Sequence, residues 1–149
     1  MAYWLVKSEP DAFSWEEQVR RGTEPWTGVR NALAARHLRE MRRGDRAFFY
    51  HSNVGKEVVG VVEVAREAYP DPTDPAERWV CVDVSAVAPM PKPVGLAAIK
   101  AEPALADIAL VRQSRLSVMP VSPAHWAAIC RMGGWNDEKR PKRAVGAAG

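Results

Sequence analysis

Two cysteines in 149 residues, Cys81 and Cys130, are too few and too far apart to staple a small fold or to build a zinc site, which needs further ligands at short spacing. No metal and no cofactor is expected. Cys81 lies in an alternating Val-rich run and Cys130 among Ala, Ile and Met, so both read as small buried hydrophobes, with a disulfide disfavoured. No apolar run approaches the roughly 18 residues that span a bilayer. MAYWLVKSEPD opens directly on strand-like residues, without the basic start and long apolar core of a secretory leader. The expectation is a cytoplasmic protein without membrane association. Also missing are a Gly-rich phosphate loop, a paired-carboxylate signature and any internal repeat.

What is present suits one compact domain, because a chain of this length buries roughly two thirds of its unfolded surface. The net charge of +3 is unevenly spread. The stretch from Asn136 carries four Lys or Arg against two acids, residues 16–46 hold eight Arg against five acids, and residues 60–110 hold four basic against eight acidic residues. One positive face can steer a polyanion although the total is small. The domain is placed at 1–135, and 136–149 is expected to be a basic, disordered tail.

Periodicity and punctuation give the elements. YWLVK reads as an opening strand ended by the Ser8–Asp11 turn cluster. In SWEE, Ser14 and Glu17 have the spacing of a capping box, and that helix should end near Gly22. Leu33, Ala34, Leu38 and Met41 follow helical spacing behind Asn31 as a cap. RAFFYHS, VVGVVEVA and RWVCVDVSAV are β-branched or aromatic strand candidates. The Pro-rich YPDPTDP should connect strands, and PMPKPVG should break the chain before a short helical LAAIKA. LSVMP is a last strand, followed by a helix capped by Ser122 with Trp126, Ile129 and Cys130 inward.

Catalysis finds little support. His51 and Ser52 are neighbours, but adjacent strand residues point to opposite faces and cannot form a dyad. A binding site is better supplied. Trp4, Trp79 and Trp126 lie on apolar-patterned elements and are expected in the core, whereas Trp26 sits in a connection beside Thr27, Arg30 and Asn31. It can lid the core or stack a base. Holding an unstacked base needs an aromatic face, edge hydrogen bonds and cations for the backbone.

The motifs WLVKSEPDAFSWEE, WTGVRNALAARHLREM, GDRAFFYHSN, GVVEVAREAYPDPT, RWVCVDV and LVRQSRLSVMPVSPAHW, in this order across about residues 2–132, closely resemble the EVE domain family. The resemblance implies an α+β, PUA-like mixed β-barrel with flanking helices, kin to YTH and ASCH domains. It further implies a non-catalytic reader that captures one modified base of DNA or RNA, flipped or unpaired, in an aromatic-lined pocket. The carried-over pocket positions are Lys7, Ser8 and Glu9; Trp26, Gly28, Val29, Arg30 and Asn31; and Tyr50, His51, Ser52 and Asn53. Arg112, Gln113, Ser114 and Arg115 are expected on base or phosphate, and Arg36 and Arg39 on the backbone. Trp26 is the expected stacking platform, with Asn31 and Ser52 on the base edge. The implied partner is nucleic acid, the implied state a monomer and a solo EVE protein. The alternatives are a hydrolase or other enzyme acting on a modified nucleoside, or a small-ligand or peptide interaction module.

Overall fold

A computed structural model describes residues 1–136. The strands are β1 (Tyr3–Ser8), β2 (Thr23–Pro25), β3 (Arg46–His51), β4 (Glu57–Pro70), β5 (Val80–Gly95) and β6 (Val118–Val121). The helices are α1 (Trp15–Arg21), α2 (Ala32–Glu40), α3 (Leu96–Ala101), α4 (Ala109–Arg112) and α5 (Pro123–Gly133), with a 3-10 turn at Pro103–Leu105. The strands form one mixed sheet in the order β2-β5-β4-β3-β1-β6. Only β1 and β3 pair in parallel among the described strands, joined by a crossover that contains α1, β2 and α2. The mixed sheet with flanking helices agrees with the expected α+β class. The stretch expected to be a tail lies, apart from Asn136, outside the described residues.

The core is organised by neighbouring phenylalanines on β3. Successive strand residues face opposite sides of the sheet, so Phe48 and Phe49 build two different layers. Phe48 stacks on Trp126 of α5 at 3.9 Å between centroids, and Tyr3 stacks on the same indole at 4.4 Å. Phe49 meets Trp15 at 5.3 Å and Trp26 at 5.5 Å, both edge-on. Gly60 lies opposite Phe49 in the β3–β4 register. A Cβ there would come within 2.5 Å of the Trp15 ring, so a glycine is what lets the indole lie against β4. Asp45 ties the chain start to this core, accepting from Ala2 N and Trp4 Nε1, both at 3.1 Å, and from Arg42 N at 2.9 Å.

Three helix caps form as the sequence predicts. Ser14 accepts from Glu17 N, Asn31 from Ala34 N and Ser122 from His125 N. Glu17 turns outward, bonding Arg20 and Arg21.

Several expectations need correction. PMPKPVG does not break the chain: it is the second half of β5, paired with β4 through bulges. Pro91 and Pro93 fall in the register shift between Gly60↔Pro89 and Val58↔Val94, where β5 bulges, and beyond Ser85 the strand has no β2 to bond. The YPDPTDP connection starts late, because Tyr69 and Pro70 still belong to β4. β2, three residues whose pairing is with β5, was not expected as a strand. Leu33 is exposed, since α2 presents Ala34, Ala35 and Leu38 to the core instead. Trp79 lies outside the buried core, before β5, with its amide held by Asp74. Both cysteines are buried.

Candidate base-binding site

Two clefts open side by side where β1 ends. The first, of about 530 Å³, is lined by Lys7, Ser8, Glu9, Ala12, Phe13, Glu24, Pro25, Trp26, Thr27, Gly28, Val29, Arg30 and Ser117. The second, of about 430 Å³, is lined by Lys7, Glu9, Tyr50, Ser52, Asn53, Lys56, Leu96, Leu110, Ser114, Arg115 and Ser117. Lys7, Glu9 and Ser117 belong to both. Volumes of this size suit a small organic group with a few polar contacts.

Backbone pairing sets these positions. Trp26 N donates to Val82 O at 2.7 Å, extending the β2–β5 ladder by one residue before the chain turns. The Trp26 ring packs edge-on against Phe49 and Phe13, remains 7% exposed, and so serves the core while lining the first cleft. Gly28 follows at φ +85°, where a side chain is strained, and its amide donates to Asp71 Oδ2 at 2.8 Å. Across the sheet, Lys7 N donates to Ser117 O and Ser52 N to Ser8 O, both at 2.9 Å, so the ends of β1 and β3 and the segment leading into β6 are tied together.

Asp71 is the residue that the sequence did not single out. Its side chain is fully buried and collects four hydrogen bonds: Gly28 N at 2.8 Å, Arg30 Nη1 at 3.1 Å, Thr73 N at 2.7 Å and Thr73 Oγ1 at 2.6 Å. Burial by itself would raise its pKa, but the bonds from Thr73, Gly28 and Arg30 outweigh that and hold the carboxyl down at about 2. Arg30 is therefore paired with Asp71 and with Thr73 Oγ1 at 3.0 Å. One signal was available: an Asp two residues before a Thr in a Pro-rich turn favours local side-chain to backbone bonding. Its reach back to Gly28 left no trace in the sequence.

The other expected residues divide. Ser8 Oγ donates to Phe13 O at 2.5 Å. Lys7 Nζ donates to Ser114 O at 2.7 Å and lies 5.9 Å from the Tyr50 ring centroid, and burial lowers its pKa. Burial and then the Glu57 charge raise that of Tyr50. Asn31 is exposed and lines neither cleft, its oxygen being engaged by Ala34 N at 2.9 Å. His51 points with Phe49 toward α1, where its Nε2 accepts from Trp15 N at 3.0 Å, and it too lines neither cleft. Ser52, just past the end of β3, lines the second cleft, so it and His51 do not meet there. Ser114 and Arg115 reach the second cleft, whereas Arg112 and Gln113 end α4 away from both. Arg36 pairs with Glu40 at 3.6 Å on the exposed side of α2, and Arg39 is exposed beside it. Among the described residues no group of three or more His, Cys, Asp or Glu could hold a metal, and no helix is long and apolar enough to cross a membrane.

The family model of the EVE domain matches residues 2–132. The chain belongs to the EVE domain family. Human thymocyte nuclear protein 1 is 32% identical over 174 residues, spanning 94% of this chain and 76% of that protein. The Rhodopseudomonas palustris protein Rpa0253, solved by NMR, is 60% identical, with a TM-score of 0.86 over 90% of this chain and 94% of that one. Human THYN1, crystallised in complex with 5-methylcytosine containing DNA, is 30% identical, with a TM-score of 0.84 over 91% of this chain and 99% of that one. The YTH domain of the Zygosaccharomyces rouxii MRB1 protein, at 15% identity and a TM-score of 0.58, shares the fold alone with this EVE domain.

Proposed function

We propose that this EVE domain is a non-catalytic reader that captures a single modified base of DNA or RNA, flipped or unpaired, in the first cleft. The observation that carries the proposal is the complex of human THYN1 with 5-methylcytosine containing DNA, in a chain that superposes on this one over nearly its whole length. The cleft supports it physically. Trp26 supplies an aromatic wall, Lys7 a fixed ammonium, and Glu9 and Thr27 polar groups at the rim. Stacking one base on an aromatic contributes roughly 1–3 kcal/mol, against a few kcal/mol to extract it from a duplex. Stacking alone thus comes close to cancelling extraction, and hydrogen bonds to the base edge decide selectivity. Rigid packing of Trp26 against Phe49 and Phe13 makes the wall preformed, which lowers the ordering cost of capture. The reader acts as a monomer in the cytoplasm.

The test is a panel of DNA and RNA oligonucleotides that differ only in one modified base, titrated against the protein and its Trp26→Phe and Trp26→Ala variants. Discrimination should persist in part with Phe and vanish with Ala while unmodified strands bind nearly as before. Equal loss for modified and unmodified strands would refute the assignment of Trp26. The enzyme alternative requires turnover of the bound base that Ser52→Ala or His51→Ala removes. His51 Nε2 is already held by the Trp15 amide, which argues against its serving as a base.

A further inference from the structure

The two clefts differ in charge as much as in shape. In the first, Glu24 is paired with Arg21 and Arg30 with Asp71, so the ionic groups of the wall are mostly neutralised and the aromatic surface dominates. In the second, Lys7, Lys56 and Arg115 converge with the hydroxyl or amide groups of Ser52, Asn53, Ser114 and Ser117, against the one acid Glu9. Lys56 and Arg115 are exposed at its rim, unlike Arg20, Arg21 and Arg36, which each lie within salt-bridge distance of a glutamate on the helices. Lys56 and Leu96 continue from this cleft into a shallower hollow of about 360 Å³ that ends at Lys100.

We propose that the second cleft is a phosphate subsite: it holds the phosphodiester next to the captured base, with Lys7 at the junction, Arg115 and Lys56 on the phosphate oxygens, and Lys100 meeting the following linkage. This assignment rests on the first cleft being the base site. The chemistry fits because a phosphodiester carries one negative charge and several acceptor oxygens, which call for cations and small donors and for no aromatic wall. The arrangement also gives the short loop between β3 and β4 a purpose. Asn53, Gly55 and Lys56 have φ of 65°, 91° and 49°, and Lys56 O accepts from Leu96 N at 2.9 Å, so Lys56 is held on a fixed backbone rather than on a free arm. A consequence is that the ligand is a nucleotide within a strand, and a free nucleoside binds more weakly than the same nucleoside in a dinucleotide.

The experiment uses short single-stranded DNA bearing one 5-methylcytosine, with either neighbouring linkage replaced in turn by a neutral methylphosphonate, and the Lys56→Gln, Arg115→Gln and Lys92→Gln variants. Lys92 is an exposed lysine on β5 that lines neither cleft. One neutral linkage should weaken binding to the unaltered protein about tenfold, as expected for loss of a charge-assisted contact. The same replacement should cost far less in Lys56→Gln or Arg115→Gln and the full amount in Lys92→Gln. Each cleft variant should also lower the slope of log affinity against log salt by about 0.7 on an unmodified strand. Persistence of these effects without any preference for the methylated base would uphold the phosphate subsite and refute the base reading. Undiminished binding to both neutral-linkage strands, an unchanged salt slope, or no binding of any strand at low salt would overturn the proposal. Inorganic phosphate competing as well as the dinucleotide would overturn it too, by making the site one for the free ion.

Discussion

Replacing Asp71 by Asn keeps the size of the side chain and removes its charge, and the structure fixes what that does. The carboxylate has two oxygens and four donors: Oδ1 serves Thr73 N and Oγ1, and Oδ2 serves Gly28 N and Arg30 Nη1. An amide keeps one oxygen and turns its NH2 on the other pair: facing Gly28 N and Arg30 it loses both bonds, and facing Thr73 it loses the bond from Thr73 N while the Thr73 hydroxyl reverses to accept, so at least one bond is lost and the rest lose their charge assistance. A hydrogen bond to a charged group contributes about 1.5–3 kcal/mol. The Arg30 contact is discounted, because its side chain is 37% exposed and screened by water. The expected loss is about 2–4 kcal/mol, which for a chain of this size lowers the melting temperature by roughly 4–16 °C.

The pH dependence follows with its sign. A carboxyl lowered from 3.8 to about 2 contributes stability above the ordinary value and loses it as pH falls through the window between the two. The full shift corresponds to about 2 kcal/mol before screening by solvent is allowed for. Urea titrations at pH 7 and at intervals down to pH 2.5 should therefore show Asp71→Asn less stable at neutral pH and converging on the unaltered protein in acid. Binding should weaken as well, because Gly28 and Arg30 anchor the loop that carries Trp26 and Val29. A stability change under about 0.5 kcal/mol at neutral pH, the range of ordinary surface substitutions, would refute the four-donor account.

Three further expectations concern other parts of the molecule. Gly60→Ala places a Cβ within 2.5 Å of the Trp15 ring and should destabilise by about 1–3 kcal/mol in a denaturant titration. His51 Nε2, unprotonated, accepts from Trp15 N and burial lowers its pKa, so the stability it contributes falls as pH drops below the ordinary 6.5; a urea midpoint lower at pH 5.5 than at 7.5, with a smaller difference in His51→Gln, would bear this out, His37 supplying a remainder of the same sign. Changing Arg36 or Arg39 to Gln should weaken modified and unmodified strands alike and flatten the salt dependence, read by anisotropy over a salt series.

How much of this was legible in the sequence depends on the range of the interaction. The caps at Ser14, Asn31 and Ser122 are encoded within three residues of themselves and were readable for that reason. β2 was not, because Thr23, Glu24 and Pro25 have no strand pattern and become a strand only by meeting the edge of β5. The prolines of PMPKPVG mislead for the same reason: their cost vanishes at a bulge or an edge, and both are properties of the whole sheet. Trp26 could be read as core lid or as ligand wall, and the two are compatible, since the ring packs edge-on with Phe49 while it also lines the first cleft. The segments that line the clefts, around Lys7, Trp26, Tyr50 and Ser114, are separated by up to 107 residues of chain. No local rule groups them, and the family resemblance did. It also carried in Asn31, His51, Arg112 and Gln113, which the fold directs elsewhere.

The place of β1 in the sheet has a bearing on synthesis. Its partners are β3, which follows within fifty residues, and β6, whose Val121 stands opposite Tyr3. A ribosome therefore releases the first strand long before its second neighbour exists, and until Val118–Val121 emerges one side of β1 bears unpaired amides and carbonyls, open to another chain. Lys7 and Ser117 meet across that same seam. The seam that seals the sticky edge is thus also the one that finishes both clefts, and an unfinished chain has neither a safe edge nor completed clefts.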